Sequence, residues 1–203
     1  MTYVNTVLAL EALFGQAGEA STRKEVPTLH PIYKEWIERS PFAVLATSGP
    51  AGLDTSPRGD PAPLVRVPDD RTILLPERRG NNRIDSLRNI LHDPRVSLIF
   101  FVPGVQETVR VNGVARICVD PPLLEQFSMH GQRPKCVVEI AVETVFFQCA
   151  RALLRSSLWP IEQASRPPGV PTAGELLAAV TNDAIDGKSY DRDLPGWQAK
   201  SLY

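Results

Sequence analysis

This 203-residue sequence predicts an antiparallel β fold, mainly strand with a few peripheral helices. Three observations carry that reading. Short runs rich in Val, Ile, Leu and Phe recur between Phe42 and Ala150, and most are joined by turns too short for helical crossovers. Helical patterns interrupt them at only a few points, so the chain lacks the strand-helix alternation of a parallel sheet. A hydrophobic content of 43% fills one sizeable core and falls short of two ordinary domains.

In chain order, Val4, Val7, Leu8, Leu10, Leu13 and Phe14 recur at near-helical spacing and stop at Gly15, which predicts a packing helix. Pro31 opens a second helix with Ile32, Tyr33, Trp36 and Ile37 on one side, and Ser40-Pro41 ends it. "FAVLAT", the turn "SGPAG" and "LDTSP" predict a hairpin. "APLVRVPDDRTILLP" reads as two strands, Pro63 to Val67 and Thr72 to Leu75, about an Asp69-Asp70 turn. In "RIDSLRNIL", Ile84, Leu87 and Leu91 mark a helix that Asn81 or Asn82 is placed to cap. "RVSLIFFVPG", "ETVRVNGVARICV" and "KCVVEIAVETVFFQCA" are further strands, and "DPPLLEQFSMHG" is a short helix begun by Pro121 and Pro122. "ARALLRSSLWP" and "TAGELLAAVTNDA" predict two more helices. Between them lies the proline-rich "PIEQASRPPGVPT", and after them a polar tail, "DGKSYDRDLPGWQAKSLY". The expected organisation is N-terminal helices over 1–39, a body of strands over 40–159, and connector, helix and tail over 160–203.

Lys plus Arg number 22 against 23 Asp plus Glu, so the net charge of -1 gives no global pull toward nucleic acid or an anionic membrane. Cys118, Cys136 and Cys149 show no C-x-x-C spacing, and His30, His92 and His130 stand apart from one another. Neither a disulfide framework nor a metal site is predicted. No run of about 18 apolar residues occurs, and a cytoplasmic location is expected.

The turn between Pro76 and the Ile84 helix holds Arg78, Arg79, Asn81, Asn82 and Arg83, with Arg88 just beyond, more cation than a connecting loop needs. Three readings compete for it. The arginines pair with Glu77, Asp85 and Asp93 on a solvated loop; or they contact nucleic acid, against which the neighbouring acids argue; or, with the amides of the helix N-terminus, they hold a small phosphorylated ligand. Neither G-x-x-x-x-G-K-[ST] nor G-x-G-x-x-G occurs, so the usual nucleotide loops are absent.

From Ser40 to Trp159, the succession "SPFAVLATSG", "DTSPRGDP", "LVRVPDDRTILLPERRGNNRIDSLRNILHDPRVSLIF" and "ETVRVNGVARI" resembles the pyridoxamine 5'-phosphate oxidase-like, FMN-binding split-barrel flavoproteins. It is most similar to a branch of FMN-dependent proteins carrying "SPRGDP", "PGNNRLDSLRN" and "CAKALLRSxLW"-like segments. The resemblance implies an antiparallel six-stranded split β-barrel and a homodimer with FMN at the subunit interface. It places the phosphate clamp at Arg66, on a strand with Val67, and at Asn81, Asn82, Arg83 and Ser86. It lays Leu74, Leu75 and Pro76 along the isoalloxazine ring. Arg58 and Asp60 of "SPRGDP" are cofactor contacts or, alternatively, a structural Arg–Asp pair. Thr108 would reach the flavin from the second subunit, and Arg155 and Trp159 would close the pocket, with Trp159 as a core anchor the competing reading. The apolar faces of "VSLIFFV" and "VVEIAV" would be covered by the second copy.

The sequence departs from the vitamin-B6 oxidases. It has "PAPLVRV" where they carry an "RxVLLK"-type strand, and it lacks their C-terminal Arg- and His-bearing segment. The resemblance therefore implies an FMN-dependent oxidoreductase acting on a small organic substrate other than a B6 phosphate. A reductase using the deazaflavin F420 and a flavin-binding protein without turnover are the alternatives.

Overall fold

The computed structural model describes residues 1–80, 82–159 and 166–200, without the side chain of Lys200. Its strands are β1 (Phe42–Gly49), β2 (Gly52–Gly59), β3 (Thr72–Pro76), β4 (Arg95–Phe101), β5 (Thr108–Cys118) and β6 (Val137–Gln148). They form one six-stranded sheet in the order β2-β1-β4-β5-β6-β3, every neighbouring pair antiparallel. The sheet curls into a split barrel whose two free edges are β2 and β3. Around it lie α1 (Val7–Phe14), α2 (Glu19–Arg23), α3 (Pro31–Glu38), α4 (Asp85–His92), α5 (Pro121–Gln126), α6 (Arg151–Ser156), α7 (Ala173–Val180) and α8 (Gly187–Lys200). Among the described residues no helix is long and apolar enough to cross a membrane.

Alternation does the inward sorting. Val96, Leu98 and Phe100 of β4, Ala43 and Leu45 of β1, and Val138, Ile140 and Val142 of β6 are buried in the chain's own core. The apolar face that the sequence leaves for a second copy is thus covered largely from within, while Ile99 and Phe101 on the opposite face of β4 are half-buried. β5 is one continuous strand with a bend at Asn112-Gly113, rather than a hairpin. Asn112 faces Thr144, Gly113 faces Val142, and Glu143 is the extra residue. A Cβ on Gly113 would stand 2.2 Å from the Ala141 carbonyl oxygen, so the close approach at this bulge requires glycine.

Pro31 begins α3 where its missing N–H costs nothing, and Tyr33, Trp36 and Ile37 are fully buried beneath the sheet. The Tyr33 hydroxyl donates to the Lys24 carbonyl (2.7 Å) and accepts from the Phe147 N–H (3.3 Å), tying the segment after α2 to β6.

Four expectations need correction. Pro63 to Val67 is not a strand: only Arg66 bridges Leu74, because Pro61, Pro63 and Pro68 supply no N–H to a ladder. The segment read only as a polar tail forms a helix, α8, over Gly187–Lys200. Its Asp191 accepts from the Thr172 hydroxyl and the Gly174 N–H at the start of α7, and Gly174 and Gly187 let the two helices meet backbone to backbone. The helix begun near Arg151 stops at Ser156, short of Trp159. Finally, α1 forms as predicted and ends at Gly15, but none of its residues is buried. Apart from Glu11, "VLALEALF" is apolar and singles out no face to pack. Residues 160–165, the first part of the proline-rich connector, lie outside the described residues.

Candidate functional site

The two edges of the sheet are not joined by a backbone ladder, and a cleft of about 500 Å³ opens between them. Its walls come from β2, from the end of β3 with the turn that follows, and from the start of α4. On β2 the two-residue period turns Asp54, Ser56 and Arg58 to the same side, opposite the buried Thr47, Leu45 and Ala43 of β1. Pro57 is tolerated because β2 is an edge strand.

Two ion pairs cross the split. Arg58 donates from Nε to Glu77 (3.1 Å) and from Nη1 to Ser56 Oγ (2.6 Å) and the Pro57 carbonyl (3.0 Å). Arg78 donates from Nε to Asp60 (2.6 Å) and from Nη1 to the Phe127 carbonyl (2.6 Å). The Arg58–Asp60 pair contemplated from the sequence is therefore replaced by two pairs with exchanged partners, since each side chain reaches across to the other edge. The side chains of Arg58 and Glu77 keep only 12% and 24% of their exposure, so this is not a surface pair. Behind it, burial pushes the Cys136 thiol up, the Glu77 charge adds to this, and Arg58 opposes it. A thiol held in that state is protonated and unreactive.

The turn into α4 passes through two left-handed residues, Asn82 (φ 60°) and Ile84 (φ 51°). Ile84 takes the N-cap position, and no side chain caps the helix there, so the cap expected from Asn82 is not made. A β-branched residue in this region is strained, as is common in loops that serve a ligand. Asn81, the other candidate cap and clamp residue, lies outside the described residues. α4 is held to the β1–β2 hairpin by two side chains one turn apart. Ser86 Oγ donates to Asp54 Oδ2 (2.8 Å), and Asn89 Nδ2 donates to Thr47 Oγ1 (3.1 Å), Thr47 and Asp54 being cross-strand partners. The Asn89 side chain occupies the space a Cβ on Gly49 would need.

Of the turn's arginines, Arg83 and Arg88 meet Asp85 (2.7 and 3.6 Å), as the solvated-loop reading expects, but Glu77 and Asp93 are taken by Arg58 and Arg95, which lie outside the turn. Arg79 also lines the cleft and has no ion-pair partner among the described residues. Counting the lining, Arg58, Arg78, Arg79 and Arg83 stand against Asp54, Glu77 and Asp85, a balance of one positive charge.

Of the residues marked from the sequence, Arg58, Pro76, Arg83 and Ser86 line the cleft, and Asp60 is linked to it through Arg78. Asn82 is exposed beside it. Arg66 points elsewhere: its guanidinium stacks 4.7 Å over Phe127 and donates to the side chain and carbonyl of Gln126, fastening α5. Val67 and Leu75 are buried in the main core. Leu74 packs with Leu124, Phe127 and Val137, and its N–H and C=O are both taken by Arg66. Thr108 is buried at the start of β5 opposite Gln148, Arg155 lies in the last turn of α6, and Trp159 donates from Nε1 to the Val105 carbonyl (2.8 Å). None of these three lines the cleft of its own chain. Sequence reasoning missed Asp54, Ser56 and Ile84. The signal for the first two was their period-two spacing with Arg58 in "LDTSPRG".

Among the described residues, no group of three or more His, Cys, Asp or Glu could hold a metal ion. The sequence profile of the family described as pyridoxamine 5'-phosphate oxidase matches residues 29–149. Among curated proteins no relative matches. Among solved structures the chain is similar to HupZ from Group A Streptococcus, with 24% identity, TM-score 0.46, and coverage of 56% of this chain and 89% of that one. It is also similar to General Stress Protein 26 from Bacillus anthracis (16%, TM-score 0.44, 59% and 94%) and to an F420 reductase (20%, TM-score 0.41, 57% and 94%).

Proposed function

The chain belongs to the pyridoxamine 5'-phosphate oxidase family, and from that premise we propose that it is an FMN-dependent oxidoreductase acting on a small organic substrate. The observation that carries the reading is the convergence of four guanidiniums and the Ser56 and Ser86 hydroxyls in the cleft between the sheet edges, at the start of α4. The residues present fit the cofactor. The volume lies in the range of small-molecule sites, the local charge balance favours a phosphate, and Pro57, Leu64, Pro76 and Ile84 give apolar lining suited to a flat ring.

In this reading Arg83, Arg79 and the Ser86 hydroxyl hold the phosphate, with the N-terminal amides of α4 adding favourable dipoles. Arg58 and Arg78, each already fixed by an acid, orient the ligand without having to be ordered when it binds. When bound, FMN supplies hydride transfer at its N5 position, and the protein contributes binding, orientation and exclusion of water. The proposal includes a homodimer in which a second copy supplies Thr108, Arg155 and Trp159 around the ring. A cytoplasmic location goes with it, since three cysteines that form no disulfide suit a reducing compartment.

The test is a fluorescence titration of the apoprotein with FMN and with riboflavin, followed by photometric reduction with NAD(P)H and re-oxidation. Tight FMN binding, weak riboflavin binding and turnover are expected. Uptake of F420 but not FMN would replace the cofactor, binding without reduction would leave a flavin carrier, and sedimentation of a monomer that binds one FMN per chain would remove the shared site.

A further inference from the structure

We propose that Asp54 is a carboxylate that competes with a phosphate for the Ser86 hydroxyl and thereby sets how strongly the site prefers phosphorylated flavin. The inference rests on the cofactor reading above. Ser86 is 4% exposed, and its hydroxyl donates to Asp54 Oδ2 at 2.8 Å inside the cleft. A serine hydroxyl has one proton to give, so it cannot serve Asp54 and a phosphate oxygen together.

Asp54 is also the acid of the cleft that is left without a cation. Glu77 is paired with Arg58, Asp85 with Arg83 and Arg88, and the nearby Asp60 with Arg78, whereas Asp54 enters no ion pair among the described residues. Its carboxylate thus does for Ser86 what an incoming anion would do. Loading a phosphate transfers the Ser86 proton donor from one anion to another and leaves Asp54 half-buried beside a group of charge near -2. That repulsion weakens binding of the phosphate ester and leaves a neutral ligand untouched.

A purely structural role for the Ser86–Asp54 bond, as one of the two fastenings of α4, predicts something different. Asp54→Asn keeps an acceptor oxygen for Ser86 and therefore keeps the fastening, while removing the charge. Asp54→Ser is a second neutral variant in case the amide packs badly. Both are titrated with FMN and riboflavin, with inorganic phosphate as competitor, alongside Ser86→Ala and the Asp54→Asn/Ser86→Ala double variant. The expected result is FMN affinity raised at least about tenfold in either neutral variant, riboflavin affinity unchanged, and phosphate competing at lower concentration. The gain should shrink in the double variant. FMN affinity equal to or below wild type in both neutral variants, with the wild-type preference for FMN over riboflavin intact, overturns the role of Asp54 alone. A wild-type protein that binds FMN no better than riboflavin overturns the cofactor reading, and this inference with it.

Discussion

Replacing Arg58 with Ala removes, in one step, the bonds to Glu77, to the Ser56 hydroxyl and to the Pro57 carbonyl. The largest consequence falls on Glu77, whose carboxylate is three-quarters shielded and loses the one cation it pairs with among the described residues. Breaking a fully buried pair costs about 3–5 kcal/mol. Glu77 retains 24% exposure and can turn partly to water, which lowers the figure to about 2 kcal/mol, and the stranded Ser56 hydroxyl adds less than about 1 kcal/mol. For a chain of 203 residues, a loss of about 2–3 kcal/mol lowers Tm by roughly 4–12 °C. The assay is thermal unfolding of the apoprotein by circular dichroism, with Arg83→Ala as the control, because the Arg83 side chain is 76% exposed. Glu77→Gln and the double variant complete a cycle in which the combined loss should fall short of the sum by about 1–2 kcal/mol. An Arg58→Ala protein that melts no lower than Arg83→Ala, or a strictly additive cycle, would refute the view that the split is braced by this pair.

Arg83→Ala itself should weaken FMN binding at least about tenfold while leaving riboflavin binding as it was; an unchanged FMN isotherm removes the turn from the clamp. Gly113→Ala must push a Cβ against the Ala141 carbonyl, 2.2 Å away, and should cost about 1–3 kcal/mol in urea unfolding; a midpoint equal to wild type would show that the bulge relaxes freely. Burial lowers the Lys24 ammonium from its ordinary 10.5, so the unfolded chain binds that proton more tightly and stability rises with pH over this window. Lys24→Met should accordingly melt higher than wild type at neutral pH, with the advantage narrowing as pH approaches 10.5; a variant less stable at neutral pH contradicts this.

The strands were legible wherever burial alternates, as in "RVSLIFF", where every second residue enters the core. What the sequence hid is what long-range contacts decide. α8 contains Pro195 and a polar surface, and its pattern carries no helix signal as strong as its docking on α7 through Asp191. "APLVRV" has strand composition but too few N–H groups to pair. In the site, the cationic turn was visible, whereas the direction of each arginine was not. Arg66 is turned toward Gln126 and Phe127 by the crossing with Leu74, and Arg58 finds Glu77 only because the curl brings two strands from opposite ends of the sheet together. A helix cap was expected of an asparagine, but the left-handed turn gave that position to Ile84.

Because the walls of the cleft are the first and last strands of the sheet, a ligand lodged there behaves as a removable rivet between two ends that share no backbone bonds. Its loading should be felt as slowed amide exchange in β2 and β3 together, although they lie at opposite limits of the sheet, while the central β4 and β5, already paired on both sides, register little. The vacancy in the hydrogen-bonded ring would then be the very place where binding and the firmness of the whole barrel become one quantity.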